Sequence, residues 1–312
     1  MTETKKYDVV IIGGGPAGLT AGIYAGRRAL KTLVATKDIG GQIAQTSEVE
    51  NYPGFELISG FDLAKKFFNQ AKKFGAEIKF DEAKKITKSK DGFKIKFTRE
   101  TVEAKTIILA FGKKPRELGV PGEERLRGAG VSYCATCDAP FFKGKILTIV
   151  GGGNTALESS IFSAAIAKKV YLIYRGSEFR GEKILQEKVK KIPNVEIMFS
   201  EEVTEVFGKD TVDSISLKSG KKLKTDGIIV EIGFVVDRTL AEGFVEMDEK
   251  NQIVINPLQE TSVPGIFAAG DLTQTAAKQV VIAAGEGAKA ALSCFDYLQR
   301  IDGKRGILAD WH

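Results

Sequence analysis

The sequence predicts an α/β protein in which one three-layer domain is inserted into another, and three observations support this. An apolar strand, Val9 to Ile12, runs into the glycine turn GGGPAG (13–18) and then into a helical stretch. The same order of strand, glycine turn and helix recurs at residues 145–168. A third strand with a glycine turn and an acidic residue follows at 261–272. Strands that alternate with helices behind glycine turns are typical of Rossmann-like parallel sheets.

The first glycine turn predicts a dinucleotide site. Gly13, Gly15 and Gly18 have the GxGxxG spacing between a strand and a helix that we expect from Ala17 to about Arg27. Such glycines allow a tight turn, a close approach of backbone to a pyrophosphate, and close packing of helix on strand. The phosphate then lies at the helix N-terminus, where unpaired amides and the helix dipole favour an anion.

The second glycine turn predicts a second nucleotide. Residues 151–156, GGGNTA, stand between an apolar strand and a helix, so a flavin and a nicotinamide are the pair that we expect. The next strand ends in Tyr174-Arg175-Gly176, where an NAD site would normally carry an acidic residue for the ribose. Arg175 and Arg180 can instead bind a 2′-phosphate, which favours NADPH over NADH. Two exposed loop arginines are the alternative interpretation.

The third strand predicts that the chain returns to its first domain. In IFAAGD (266–271) the strand is followed by Gly270 and Asp271, and an acid at that position can bind a ribityl or ribose hydroxyl. The predicted organisation is a FAD-binding domain in two parts, 1–114 and 245–312 with a C-terminal tail, and an inserted NAD(P)H-binding domain at 115–244.

Composition limits the partners. The 312 residues include 46 basic and 40 acidic side chains, a net charge of +6, and the two signs are interleaved. No dense basic arm is present, which does not favour nucleic-acid binding. No apolar run reaches the ~18 residues that span a bilayer, and no signal-like segment precedes the first glycine turn. We expect a cytoplasmic protein with neither a nucleic-acid nor a membrane partner.

Two of the three cysteines, Cys134 and Cys137, are separated by two residues. This spacing is compatible with half a metal site, a redox-active dithiol or two buried thiols. Tetrahedral zinc needs four ligands, and the single histidine, His312, and the distant Cys294 do not readily complete such a site. We therefore predict no metal and favour a dithiol, with Cys294 as a buried core residue.

The order and spacing of these motifs resemble the low-molecular-weight thioredoxin reductases, which are FAD-dependent pyridine nucleotide-disulfide oxidoreductases. The resemblance covers essentially the whole chain. It is carried by GGGPAG (13–18), GGQIAQTSEVENYPG (40–54), CATCD (134–138), GGGNTA (151–156), EFRGEKIL (178–185), IFAAGD (266–271) and Gln279.

The resemblance implies two cofactor sites, a homodimer, and thioredoxin as the protein substrate. The implied FAD residues are Gly13, Gly15, Ala17, Gly41, Gln42, Asn51, Asp271 and Gln279, and the implied NADPH residues are Gly153, Asn154, Thr155, Arg175 and Arg180. One departure bears on the donor. The family's His-Arg-Arg run is Tyr174-Arg175-Gly176 here, and residues 232–237 also differ from the usual pattern. NADH, ferredoxin or a deazaflavin therefore remain alternatives to NADPH.

The resemblance also assigns roles around the dithiol. Cys137 is expected nearer the flavin, with Cys134 attacking the substrate disulfide. We expect a helical turn to begin near Cys137, and Asp138 to act as the acid-base group; a plain N-terminal helix residue is the alternative. Because dithiol and nicotinamide belong to one domain and both must reach the flavin, we predict a rotation about the two segments where the chain passes between the domains, near 113–115 and 242–247.

The expected function is electron transfer from NADPH through FAD and Cys134–Cys137 to a thioredoxin-like protein. The alternatives are the same enzyme with another donor, a dithiol oxidase, and a flavin-loaded redox sensor. We also expect Phe67-Phe68 and Phe141-Phe142 in the core. Trp311 is expected to be part of a loose terminus, or to pack on a flavin edge or on a partner subunit.

Overall fold

A computed structural model describes residues 4–45 and 49–304, so the tail with Trp311 and His312 lies outside the described residues. The chain forms two compact units, one from the segments 1–113 and 236–312 and one from 114–235. Residues 236–244, which the sequence places in the inserted domain, cluster with the first unit because Val236 and Ala241 are buried in its core.

Strands and helices alternate through most of the described chain. In chain order they are β1 Lys6–Ile12, α1 Pro16–Arg27, β2 Thr32–Thr36, α2 Gly60–Lys73, β3 Glu77–Phe80, β4 Ala83–Ser89, β5 Gly92–Phe97, β6 Thr101–Leu109, β7 Lys114–Pro115, β8 Val131–Ser132, α3 Ala135–Asp138, β9 Ile146–Val150, α4 Asn154–Ala164, β10 Lys169–Tyr174, α5 Lys183–Lys190, β11 Val195–Phe199, β12 Val203–Phe207, β13 Ser214–Leu217, β14 Lys222–Lys224, β15 Gly227–Val230, β16 Phe234–Val235, β17 Ile266–Ala268 and α6 Val280–Ile301. Short 3₁₀ turns lie at Gly41–Gln45, Ala139–Phe142 and Arg238–Leu240.

The first unit is built on a seven-stranded sheet in the order β3-β2-β1-β6-β5-β4, with β17 beside β6. Strand β6 is long enough to pair with β5 along its first half and with β17 along its second half. The pairs β1–β2, β1–β6, β2–β3 and β6–β17 are parallel, as the strand-helix alternation predicts. The carboxyl ends of β1 and β17 therefore lie at the same edge of the sheet, on either side of β6.

Helices α1 and α6 pack closely on one face of this sheet. A Cβ atom at Gly287 of α6 would stand 2.0 Å from the backbone oxygen of Ala17, so only glycine permits the approach. Helix α2 lies on the same side and begins at Ser59, whose hydroxyl accepts the backbone N–H of Asp62 at 3.1 Å. Its apolar face, which includes Leu63 and Phe67, is buried.

The second unit has a five-stranded parallel sheet in the order β11-β10-β9-β15-β8, and a separate three-stranded antiparallel sheet, β12-β13-β14. The parallel strands are apolar along their length, as expected for a sheet covered on both faces. Helix α4 follows β9 directly and packs on the sheet through Ala156 and Leu157. This strand-turn-helix unit is the second of the two that the sequence predicts.

One core prediction is wrong. Phe141 is 75% exposed, because it follows Pro140 in a 3₁₀ turn that presents it outward, whereas Phe142 packs against the core. Phe67 is buried and Phe68 half-buried, as expected. Among the described residues, none of the helices is both long enough and apolar enough to span a membrane.

Candidate redox and nucleotide sites

Cys134 and Cys137 form a disulfide with a Cα–Cα distance of 5.4 Å. Cys134 is the N-cap residue of the short helix α3, and its sulfur accepts the backbone N–H of Cys137 at 3.3 Å. The helical turn thus begins directly after Cys134 and not near Cys137, which corrects the sequence prediction. The reason is local, since a sulfur at the N-cap takes the place that serine or aspartate usually fills. The sulfur that helical amides stabilise is therefore that of Cys134.

The strand before the disulfide fixes the position of Cys134. Strand β8 pairs with β15, and the hydroxyl of Ser132 accepts the backbone N–H of Cys134 at 3.0 Å. The hydroxyl of Tyr133 donates to the carboxylate of Glu123 at 2.8 Å. Burial, and then this carboxylate, raise the pKa of Tyr133, so the phenol stays a hydrogen-bond donor. No sequence pattern indicates this contact, whose partners are ten residues apart.

Glu123 fixes the loop at residues 118–119, which precedes the Cys134–Cys137 disulfide in the chain. The side chain is buried, and its two carboxylate oxygens accept the backbone N–H groups of Leu118 at 2.8 Å and Gly119 at 2.7 Å. A buried carboxylate is stable only when hydrogen bonds compensate for its lost hydration. The Glu123 carboxylate thus joins the 118–119 loop to Tyr133, which immediately precedes Cys134.

Two carboxyl groups lie close to the redox segment. Asp138 ends helix α3 and is half-buried, and its N–H donates to the backbone oxygen of Cys134 at 3.1 Å. The second, Glu231, directly follows β15. Its carboxylate accepts the hydroxyl of Ser159 at 2.9 Å and the backbone N–H of Ala135. Sequence reasoning missed Glu231, although an acid directly after the apolar strand GIIV was a usable signal.

The glycine turn of the first unit fits a bound pyrophosphate. A Cβ atom at Gly13 would stand 2.2 Å from the backbone oxygen of Ala110, and one at Gly18 would stand 1.9 Å from that of Gly13. Gly15 precedes α1 with no side chain capping the helix. A Cβ at Gly15 would meet only the oxygen of Gly40, at 3.7 Å, so the space in front of the uncapped amides is open.

The other residues predicted for FAD lie in this same unit. Asn51 donates its side-chain N–H to the side-chain oxygen of Gln279 at 3.1 Å, although 228 residues separate them. Gln42 donates to the backbone oxygen of Lys113 at 3.1 Å. A Cβ at Gly41 would approach Gly15 no closer than 3.8 Å, so the two glycines face the same space.

Asp271 follows β17 through the turn at Gly270, which has a φ of +89°. The N–H of Gly270 donates to the buried carboxylate of Glu286 at 2.6 Å, and a Cβ at Gly270 would stand 3.0 Å from that of Ala17. The Asp271 turn is therefore fastened to α6 and packed against the start of α1, next to the glycine turn. Glu286 is a second residue that sequence reasoning missed.

The glycine turn of the second unit also leaves its helix open. Gly153 precedes α4 with no side-chain cap, and a Cβ there would meet nothing within 4 Å. Thr155 is exposed in the first turn of α4. Asn154 accepts the N–H of Glu182 at 2.7 Å and donates to its carboxylate at 2.9 Å, which fastens the 175–182 loop to the helix start. These features fit a nucleotide phosphate at the start of α4.

The two arginines predicted for NADPH flank a buried tyrosine. Arg175 is exposed directly after β10, and Arg180 is exposed with its N–H on the oxygen of Gly152 at 2.8 Å. The Arg180 guanidinium lies 5.9 Å from the centre of the Tyr174 ring. A Cβ at Gly152 would stand 2.5 Å from that ring, and one at Gly176 would stand 2.7 Å from it. Tyr174 therefore fills the space between the glycine turn and the arginine loop.

Comparison with known proteins identifies the family. Residues 7–287 match the family model described as pyridine nucleotide-disulphide oxidoreductase. The chain is 40% identical over 309 residues to the thioredoxin reductase of Bacillus subtilis, with 96% of this chain and 98% of that protein covered.

Solved structures agree. The crystal structure of Lactococcus lactis thioredoxin reductase in its FR conformation has a TM-score of 0.84 and 32% identity, over 94% of this chain and 99% of that one. Thioredoxin reductase from T. acidophilum has a TM-score of 0.80 and 35% identity, over 95% and 99%. This chain therefore belongs to the pyridine nucleotide-disulphide oxidoreductase family, and it is an oxidoreductase enzyme.

Proposed function

We propose that the protein is a thioredoxin reductase that passes electrons from NADPH through FAD and Cys134–Cys137 to the disulfide of a thioredoxin-like protein. The observation that carries the proposal is the disulfide at the start of helix α3, in a chain that also has two open glycine turns. Two nucleotide sites and one exchangeable disulfide are the parts that such a relay needs.

The two nucleotides divide between the units. FAD is held in the first unit by residues of the glycine turn, the 41–42 turn and the Asp271 turn: Gly13, Gly15, Ala17, Gly41, Gln42, Asn51, Asp271 and Gln279. NADPH is held in the second by Gly153, Asn154, Thr155, Arg175 and Arg180. A flavin and a nicotinamide held by these residues would supply the two-electron transfer that opens the disulfide.

The cysteines perform the exchange with the partner protein. Two electrons and two protons open the Cys134–Cys137 disulfide to two thiols. The Cys134 thiolate attacks the partner's disulfide, which forms a mixed disulfide and releases one partner thiolate. Cys137 then attacks the sulfur of Cys134, which re-forms the internal disulfide and releases the second partner thiol. The amide on the Cys134 sulfur supports its role as the attacking thiolate. We assign the proton exchange to Asp138, which ends helix α3.

Trapping tests this order of attack. Cys137→Ser leaves Cys134 to attack with no resolving thiol, so it is expected to accumulate a mixed disulfide with thioredoxin. Cys134→Ser is the matched variant and is expected to accumulate none. Cys137 is the more exposed of the two residues in the oxidised protein. A mixed disulfide that forms with Cys134→Ser and not with Cys137→Ser would assign the attack to Cys137.

The donor depends on two exposed arginines. Arg175→Ala with Arg180→Ala removes both cations from the loop, so KM for NADPH is expected to rise about tenfold or more while reduction by dithionite is unchanged. Arg125→Ala is a matched control, because it removes an exposed arginine of the same unit that lies outside the predicted NADPH site. The Arg125 guanidinium donates hydrogen bonds to the backbone oxygens of Gly208 and Lys209. An unchanged KM in the double variant would contradict the assignment.

An electron donor other than NADPH is the alternative that residues 174–176 favour. The run Tyr174-Arg175-Gly176 stands where the resemblance predicts His-Arg-Arg, so one cationic ligand is missing, and the tyrosine ring lies against Gly176. A flavin that is bleached by NADH, reduced ferredoxin or a reduced deazaflavin, but not by NADPH, would establish this alternative. Bleaching by dithiols with peroxide formation would indicate a dithiol oxidase, and a protein with no turnover would indicate a redox sensor.

We further propose a homodimer that acts in the cytoplasm. The dimer is supported by the resemblance and is tested by light scattering of the flavin-loaded protein, for which a monomer mass would contradict it. The compartment is supported by the chemistry, because a reductase of protein disulfides works where thiols are kept reduced. Fractionation of cells with an antibody to the protein tests it.

A further inference from the structure

The carboxylate of Glu231 contacts the first residue of helix α3, the helix that begins directly after Cys134. Glu231 follows strand β15, whose neighbour β8 leads to Cys134. Its carboxylate accepts the backbone N–H of Ala135, the first residue of α3, and the hydroxyl of Ser159 from α4. The backbone of Glu231 is fixed as well, because its N–H donates to the oxygen of Val150 at 2.7 Å. The side chain thus joins α3, α4 and the sheet.

The surroundings of Glu231 disfavour its charged form. Burial raises the pKa of the carboxyl, the hydrogen bonds from Ser159 and Ala135 lower it only in part, and the nearby Glu158 of α4 raises it further. Helix α3 and its N-cap contribute Asp138 and the two cysteines, and no basic residue. The charge on Glu231 is therefore sensitive to a second negative charge that forms on α3.

We infer that Glu231 is a positioning residue for the redox pair: it holds the first amide of the CxxC helix and sets the charge beside the thiols that form when the disulfide opens. This inference rests on the proposed role of Cys134–Cys137 as the exchanging pair. Opening the disulfide takes two electrons from the reductant and two protons from solvent, and loss of one thiol proton then leaves a thiolate. An ionised Glu231 repels that thiolate, and a neutral one does not.

The sign of the effect follows from charge. In Glu231→Gln the amide oxygen still accepts the N–H of Ala135, but the negative charge is gone. The thiolate then forms at lower pH, and the reduced form becomes more stable relative to the disulfide. The Cys134–Cys137 pair of the variant is expected to be more oxidising than that of the native protein.

Two measurements on the purified protein test this, and neither uses NADPH or thioredoxin. In the first, the reduced protein is alkylated with iodoacetamide from pH 5 to 10, and each cysteine is followed by mass spectrometry. Burial raises the pKa of Cys294 to about 12, so it does not interfere. In the second, the pair is equilibrated with reduced and oxidised glutathione at pH 7. Glu231→Gln is expected to shift the alkylation midpoint down by at least about half a pH unit. It is also expected to change the glutathione equilibrium constant by at least about threefold, which corresponds to about 14 mV.

Two further variants separate this from a structural role. Ser159→Ala removes one of the hydrogen bonds that favour the charged form of Glu231, so it is expected to shift the midpoint in the same direction by less. Glu158→Gln removes an exposed carboxylate of the same helix and is expected not to lower the midpoint. Profiles of Glu231→Gln and native protein that coincide would overturn the inference, as would an equal shift in Glu158→Gln. A shift in a protein that fails to reduce thioredoxin would leave the inference standing and contradict the proposed function.

Discussion

Gly176 follows strand β10 and lies against the buried ring of Tyr174. Replacing it with alanine adds one methyl group and tests how tightly the ring is packed there. A Cβ atom there would stand 2.7 Å from Cε1 and 2.9 Å from Cζ of the Tyr174 ring, well inside van der Waals contact. The ring is not free to move away, since it is buried and stacks on Phe179 with 6.1 Å between ring centres. Gly176→Ala therefore forces either the ring or the loop out of position.

The expected cost comes from two opposing effects. Inserting a methyl group into a packed site costs about 1–3 kcal/mol. Replacing glycine also restricts the unfolded chain, which returns about 0.4–1 kcal/mol. The net loss in the free energy of unfolding is expected to be about 1–2 kcal/mol, measured by urea denaturation followed by far-UV circular dichroism. Gly153→Ala is the matched control, because a Cβ there meets nothing within 4 Å and its φ is −96°.

A double-mutant cycle with Tyr174→Ala assigns the cost to the ring. With the ring removed only the effect on the unfolded chain remains, so Gly176→Ala is expected to stabilise the protein by about 0.4–1 kcal/mol. The coupling energy is then the full cost of the clash, about 1–3 kcal/mol. An unchanged cost in the Tyr174→Ala background, or a Gly176→Ala protein as stable as Gly153→Ala, would refute the reasoning. The cycle also bears on the donor, because a third cation cannot be added at residue 176 unless Tyr174 moves.

Three further predictions concern stability. The pKa of Glu231 is raised in the folded protein, so stability falls as pH rises through it; Glu231→Gln is expected to raise the melting temperature at pH 7 but not at pH 4, and equal shifts would contradict this. Burial alone would raise the pKa of Asp81, but hydrogen bonds from Glu82 and Thr98 outweigh it and lower the pKa. Asp81→Asn is therefore expected to destabilise the protein at pH 7, with the difference vanishing as acid protonates the native carboxylate; a loss that is constant with pH in thermal melts would contradict this. Ser59→Ala removes the N-cap of α2 and is expected to cost about 1 kcal/mol in urea unfolding, whereas Ser59→Thr, which keeps a capping hydroxyl that can also donate to the Asp62 carboxylate, is expected to cost little.

The sequence predicts the parts of the site whose chemistry is local. Glycine turns between a strand and a helix are recognisable because sterics allow only glycine at positions such as Gly13 and Gly18, and the structure shows those contacts. The CxxC pair is recognisable for a similar reason, since two intervening residues allow a disulfide to close. Patterns of this kind are predictable because their physical cause lies within a few neighbouring residues.

Contacts between segments that are far apart in the chain are not predicted from the sequence. The resemblance assigns Asn51 and Gln279 to one cofactor, but the hydrogen bond between them depends on how α6 returns to the first unit. Glu231 reaches the redox helix only because β15 and β8 are neighbours in the sheet, and a single sequence does not give the strand order. Phe141 and Phe142 both lie in the 3₁₀ turn Ala139–Phe142, where neighbouring side chains face different directions, so Phe142 packs on the core and Phe141 is exposed.

In the proposed reaction NADPH reduces a flavin, which in turn reduces the Cys134–Cys137 disulfide. The most direct measurement is anaerobic stopped-flow absorbance of the flavin-loaded protein mixed with NADPH, and separately with NADH. Arg175 and Arg180 are expected to suffice, so NADPH should bleach the flavin band rapidly and NADH should do so more slowly. A flavin that dithionite reduces, but that neither nucleotide bleaches, would contradict the claim and require another donor.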